Sequence, residues 1–363
     1  MNIRNELLLR RLALTKDFLA DISVMSGSSG YEESVALYIK KEFEKYSDQV
    51  DIDAHFNVTA RKMPDGCNRN MPRILLCAHM DEVGMLVKSV EKNGFVRVVT
   101  NGGMDIRLFP GLEVIIHGKR DIRGVFGAKP PHIQKPDEAN KSLSLEDMYV
   151  DTGLRDADDI ISVGDTVTYD SPVTELGSTY IMGKTMDDRA GVAILIAAMR
   201  EIDKLRYNAD VYFAATVQEE LGTKGASMVG FRLAPDIGIA IDVTHGSTPD
   251  AGDVTGNTVP MDKGISITVG PNIHPRLCEK LCSVADENNI GYVIEANPRP
   301  TGTDARALQV AGAGIPSLLL SIPLRYMHTP NEVINPKTVD TAGRLIALFI
   351  ASLGEDWKQW TNY

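Results

Sequence analysis

Cysteine is scarce: only Cys67, Cys77, Cys278 and Cys282 occur in 363 residues, and none is paired as CxxC. That excludes a disulfide scaffold and, with 14 methionines, fits a reducing cytoplasm. Cys278 and Cys282 are four apart on an expected helix and could hold a metal, but free cysteine more often serves as a small core residue. Long apolar runs are missing too. The longest, Gly191 to Met199, is far too short to span a bilayer, so no membrane partner is expected. Residues 1–20 mix Arg4, Glu6, Arg10, Arg11 and Lys16 with leucines, which suits an amphipathic helix and lacks a signal peptide's apolar core. Positive charge is short as well. With 38 Lys and Arg against 49 Asp and Glu, the net charge is −11, and no basic surface for nucleic acid can be found.

What remains is ordinary for a globular enzyme: 43% hydrophobic and 24% charged residues, on a chain long enough for two domains. Helices are expected near residues 5–25 and 32–46, then a strand ending at His79. From about residue 86 to 180 the texture changes. Glycines punctuate short runs such as Glu113–Ile116 and Asp165–Tyr169, which predicts a small all-β barrel or sandwich with a long loop over residues 129–147. Helix and strand alternation then resumes. Helices are expected at 189–202, 275–289 and 336–353, the last with Pro at its first turn, and strands at 211–217, 236–242 and 315–321. The economical reading is one α/β domain built from residues 1–85 and 180–363, with a β domain inserted at 86–179.

Chemistry-bearing residues stand at the ends of the apolar runs. His79-Met80-Asp81 follows Arg73–Ala78, Glu219-Glu220 follows Val211–Val217, and Asp242 follows Ile237–Ile241. In an open α/β sheet, groups beyond the carboxyl ends of strands share one crevice. Asp81 can orient His79 by facing the ring nitrogen turned away from a metal. Asp187-Asp188 precedes a helix start at Arg189. Capping that helix is the plainer reading and needs only Asp188; it leaves Asp187 unexplained, whereas a carboxylate bridging two cations would use both its oxygens. Of Glu219 and Glu220, one can ligate while the other faces water as general base.

Taken singly, each feature has a plainer reading. Glu219-Glu220 as a doublet is most often a solvated pair, Asp242 can be satisfied by a backbone amide, and His328 can be loop surface. Jointly they supply two histidines, three carboxylate ligands and a spare Glu. Such a donor set suits Zn²⁺, Co²⁺ or Mn²⁺ and contains no thiolate. His132 and His245 are further pocket candidates, whereas His55, His117 and His274 are expected to lie elsewhere.

The segments Ala78–Gly84, Gly127–His132, Met186–Gly191, Gln218–Gly222, Ile241–Thr244, Gly302–Ala305 and Arg325–Pro330 resemble the tetrahedral aminopeptidases, the glutamyl or deblocking aminopeptidase family of two-metal peptidases, over nearly the full length. The resemblance implies a zinc-exopeptidase-like mixed-sheet domain with a barrel-like insert. It also implies that His79, Glu220, Asp242 and His328 are terminal metal ligands, Asp187 bridges the metals, Asp81 orients His79, and Glu219 is the catalytic base. Two divalent ions, zinc or cobalt first and manganese next, would activate water to release amino-terminal residues from short peptides. The insert would mediate dimer contacts, and dimers would build a hollow dodecamer. The polar stretch Gly246 to Val259 departs from the pattern and leaves the substrate pocket open. Rival readings are a two-metal deacylase or carboxypeptidase, and a noncatalytic shell or binding protein on the same fold.

Overall fold

The structure, a computed structural model, describes residues 3–64, 70–127, 129–133, 144–250 and 258–362. Its centre is an eight-stranded mixed sheet in the order Gln49–Ile52, Val58–Lys62, Asp210–Thr216, Arg73–His79, Ile237–His245, Ser317–Leu324, Ile265–Val269, Tyr292–Ala296. The four middle strands run parallel, and an antiparallel pairing flanks them on either side. These middle strands are nearly continuous apolar runs because both faces are covered. On one face the buried helix Met186–Ile202 packs against Pro336–Ala351, and Ile3–Ser23 joins them. On the other face Lys224–Leu233 and Asp304–Val310 cover a smaller cluster around Leu75, Cys77 and Ala214.

The strand expected to end at Asp242 continues to His245. Its β-branched Val243 and Thr244 keep pairing, opposite Ile322 and Pro323, so Asp242 lies within the ladder opposite Ser321.

Between the third strand of the chain and the long buried helix, the polypeptide closes a six-stranded barrel. The order around it is Gly84–Val90, Val96–Asn101, Val150–Asp151, Asp121–Phe126, Glu113–His117, Thr166–Tyr169. Closure leaves no free edge, and the barrel has its own core around Val96, Val114, Ile116, Val150 and Val167, with Phe109 and Phe126 ring centroids 4.8 Å apart. The fold is therefore a mixed α/β sheet interrupted by a small all-β barrel, as the sequence pattern predicts. Part of the expected 129–147 loop, residues 134–143, lies outside the described residues, as do Cys67 and residues 251–257 of the polar stretch. Among the described residues, no helix is long and apolar enough to cross a membrane.

A three-stranded sheet, Thr174–Leu176, Tyr180–Gly183 and Glu332–Ile334, joins the barrel exit to the segment after His328. It brings Glu332 opposite Gly183, just before the Asp187-Asp188 pair.

Candidate active site

His79 ends its strand directly opposite Thr216, so the Gln218–Thr223 corner that follows Thr216 rises beside His79-Met80-Asp81. That corner turns sharply: Gln218 has φ +53° and Gly222 φ +107°, the latter a conformation that favours glycine. Asp81 staples it in place. Its Oδ1 accepts the Glu219 N–H at 3.0 Å, and its Oδ2 accepts the Glu220 N–H at 3.3 Å and the Ser29 hydroxyl at 2.5 Å. His79 Nδ1 lies 3.2 Å from the Asp81 carbonyl oxygen and 3.5 Å from its Oδ1, so the turn as well as the carboxylate orients the ring.

The opposite ring nitrogen, His79 Nε2, is 3.1 Å from Asp187 Oδ1. Asp187 Oδ2 is 3.3 Å from His328 Nε2, which is itself 3.1 Å from Glu220 Oε1. Asp187 thus sits between the two histidines. Its neighbour has another duty: Asp188 Oδ1 accepts the Gly191 N–H at 3.0 Å and caps the helix. A side chain at residue 191 would strike the Asp188 carboxylate, which accounts for the glycine there. Ligand atoms of His79, Asp187 and Glu220 come within 4.8 Å of one another, and so do those of His79, Asp188 and Asp242. The fold therefore gathers His79, Asp187, Glu220 and His328 on one side and Asp242 on the other into a cluster that shares His79, with Asp81 and Glu219 beside it. Asp188 joins this group as a potential oxygen donor as well as a cap, which the sequence reading did not anticipate.

The electrostatics of this cluster are those of a site short of positive charge. Burial pushes Asp188 and Asp242 well up, each helped by neighbouring carboxylates. Burial also raises Glu220, against the His328 hydrogen bond, and lifts Glu219 to about 10, with Asp242, Asp304 and Glu220 adding to it and His79 opposing. Burial would lower both histidines, but their carboxylate partners win: Asp187 and Asp81 hold His79 well above its ordinary value, and Asp187 with Glu220 holds His328 up at about 11. Asp187 is lowered despite burial, because His328 and His79 both hydrogen-bond it.

The nearest buried cations are engaged elsewhere. Lys184 Nζ donates to both Glu82 oxygens at 2.9 and 2.8 Å, and Arg189 donates to the Met80 and Met25 carbonyls. Asp188 Oδ2 and Glu219 Oε1 are buried without a hydrogen-bond partner among the described residues. Crowded carboxylates, two inward imidazole nitrogens and orphaned oxygens fit divalent cations as their partners.

The other histidines fall outside this cluster. His55, His132 and His245 are exposed, His117 bonds Asp121 and Thr168 in the barrel, and His274 caps the helix Pro275–Glu287. Cys278 and Cys282 lie on that same helix, away from the site. Sequence reading missed three supporting groups: the buried Glu82–Lys184 pair, Glu332, and Asp304. Thr216 Oγ1 donates to Asp304 Oδ2 at 2.6 Å, and burial raises the Asp304 carboxyl to about 6. Only Glu82 and Asp304 fell within motif segments; nothing in the stretch around Glu332 signals its contacts.

Comparison with known proteins places the chain in a family. The family profile for M42 glutamyl aminopeptidases matches residues 57–345, a span that includes His79, Asp81, Asp187, Glu219, Glu220, Asp242 and His328. The lysyl aminopeptidase of Pyrococcus furiosus is 32% identical over 336 residues, 90% of this chain and 94% of that protein. Among solved structures, a TET aminopeptidase from a marine-sediment Thaumarchaeota archaeon superposes with TM-score 0.90 at 29% identity, covering 96% of this chain and 99% of the other. The TET1 peptidase of Pyrococcus horikoshii, described as assembling into a tetrahedron or a large octahedral shell, superposes with TM-score 0.81 at 29% identity over 93% and 100% of the two chains. By sequence and fold together, this chain belongs to the M42 glutamyl aminopeptidase family of metallopeptidases.

Proposed function

We propose that this protein is a metal-dependent aminopeptidase that releases amino-terminal residues from short peptides. The observation that carries the reading is Asp187 lying between His79 and His328, with the orphaned carboxyl oxygen of Glu219 in the same buried cluster. His79, Asp187, Glu220, Asp242 and His328 would hold two divalent cations, zinc or cobalt by preference and manganese next. Bound there, the cations would supply Lewis acidity toward a peptide carbonyl and lower the pKa of water.

Glu219 is the general base in this reading. Burial and its carboxylate neighbours give it a high proton affinity, which nearby positive charge would bring toward neutrality. It takes a proton from the attacking water, holds it on a buried oxygen, and returns it to the departing amine. Asp81 keeps His79 turned inward and, through the Glu219 N–H, keeps the base beside it.

A deacylase or carboxypeptidase can be built from similar ligands, but the family match and the named relatives favour an aminopeptidase. A noncatalytic shell protein would be supported by a missing base or ligand, and every residue of the expected set is present. We further infer that residues 86–179 form a dimerisation insert and that dimers assemble into a tetrahedral dodecamer, in a cytoplasmic setting. The shells formed by the P. horikoshii relative support that assembly. The direct test is hydrolysis of a panel of aminoacyl chromogenic amides by protein reconstituted with Zn²⁺, Co²⁺ or Mn²⁺. Release of the chromophore only with metal supports the reading, and inactivity with every metal and amide counts against it.

A further inference from the structure

Glu332 lies outside the proposed ligand set, yet its carboxylate is spent entirely on two members of it. Oε2 accepts the backbone N–H of Asp187 at 3.0 Å, and Oε1 accepts the backbone N–H of His328 at 2.7 Å. The residue is 2% exposed and has no ion-pair partner among the described residues, so it is a buried carboxyl group held by two amides, with burial and then Asp187 raising its proton affinity. Nothing in the strand Glu332–Ile334 demands this, because that strand is already paired through its backbone to Tyr180–Gly183. Isolated buried carboxylates are costly, and retention of one points to a task.

The two residues it grips are 141 apart in sequence, and one of them stands in left-handed backbone. His328 has φ +62°, which costs a non-glycine residue about 1 kcal/mol or more. Asp187 has φ −81° and ψ +107° at the start of an otherwise helical run. From the barrel, the Gly103 carbonyl accepts from His328 Nδ1 at 2.7 Å and the Tyr169 hydroxyl donates to the His328 carbonyl at 3.3 Å. Those contacts fix the ring and one end of the peptide. Glu332 alone, among the described residues, ties that peptide to Asp187.

We propose that Glu332 is a positioning residue: one buried carboxylate sets the spacing between Asp187 and His328, and so presents Asp187 Oδ2 and His328 Nε2 to a shared cation. This rests on the reading of Asp187 and His328 as metal ligands. A carboxylate suits the task because both of its oxygens accept. A glutamine of the same shape offers one acceptor and turns an N–H₂ toward the other amide.

The test is Co²⁺ affinity of the full-length protein, measured by competition with a chelating indicator, for wild type, Glu332→Gln and Asp187→Asn. Outer partners of metal ligands typically contribute ~10–100-fold in affinity. Glu332→Gln should therefore bind Co²⁺ at least ~10-fold more weakly, with the metal-free protein still unfolding cooperatively. Wild-type affinity in Glu332→Gln, alongside loss of affinity in Asp187→Asn, overturns the positioning role alone. Wild-type affinity in both overturns the ligand reading and this role with it. If Glu332→Gln does not fold, Glu332→Asp decides: it keeps the charge but withdraws the oxygens by one methylene. Weakened Co²⁺ binding in Glu332→Asp supports the role, and unchanged binding overturns it.

Discussion

The carboxylate of Asp81 accepts the backbone N–H of Glu219 at 3.0 Å while the same residue faces His79 Nδ1. One residue thus holds the corner carrying the proposed base and the ring of a proposed ligand. Asp81→Asn keeps the shape but exchanges one accepting oxygen for a donor, opposite amides that themselves donate. The expected outcome is a ~10–100-fold loss in metal affinity or in kcat/KM, read by chelator competition and by steady-state kinetics. Values within a factor of three of wild type would remove Asp81 from the account.

Glu219→Gln separates chemistry from metal binding, since an amide cannot take a proton from water. The kcat should fall at least ~10²-fold while metal content per subunit stays at the wild-type level. Loss of metal in this variant would make Glu219 a ligand instead of a base.

Stripping the metal should destabilise the fold, because Asp187, Asp188, Glu219, Glu220 and Asp242 are clustered with few protein cations to offset them. A ligand that binds only the folded state adds ~2.7 kcal/mol at a free concentration of 100 Kd. Calorimetry should therefore show Tm falling on chelation and recovering with Zn²⁺ or Co²⁺. An unchanged Tm after verified metal loss would argue that the cluster holds no ion.

Glu32 offers a pH test on a group that is not itself a proposed ligand but holds the corner leading to Glu219 and Glu220. Its Oε1 accepts the Gly30 and Gln218 N–H groups at 2.8 and 3.1 Å, and burial, with Asp81 adding, raises the carboxyl to about 7. A folded-state value above the ordinary 4.5 means the group favours the fold when protonated. That contribution is complete below about 4.5 and is lost as pH rises through about 7. Glu32→Gln should thus raise Tm relative to wild type at pH 8, with the difference shrinking by pH 5. A pH-independent difference would contradict the burial argument.

How much of this was legible in the sequence depends on how local the signal was. The four parallel strands were readable because burial on both faces imposes continuous apolar runs. The strands Gln49–Ile52 and Tyr292–Ala296 were not, since they form the sheet's two edges and carry alternating exposed residues over only four and five positions. The barrel showed itself through glycine spacing, although residues 150–151 pair over too short a length to register alone. Within the site, residues at strand ends followed from topology and from the family resemblance. Asp188 is legible as a cap because a helix begins just after it, whereas its approach to Asp242 arises only when the helix start meets the strand Ile237–His245. Glu332 was invisible for the same reason: its two partners are backbone amides, which leave no trace in residue type.

The most direct measurement of the central claim compares a free tripeptide with its amino-terminally acetylated twin, incubated with the Zn²⁺- or Co²⁺-loaded protein and followed by mass spectrometry. An aminopeptidase needs the free amine to orient the scissile bond, and misplacement alone can cost ~10²-fold. The account predicts stepwise removal of residues from the amino end of the free peptide and no cleavage of the acetylated one. Release of acetate, or of the carboxyl-terminal residue, would contradict it.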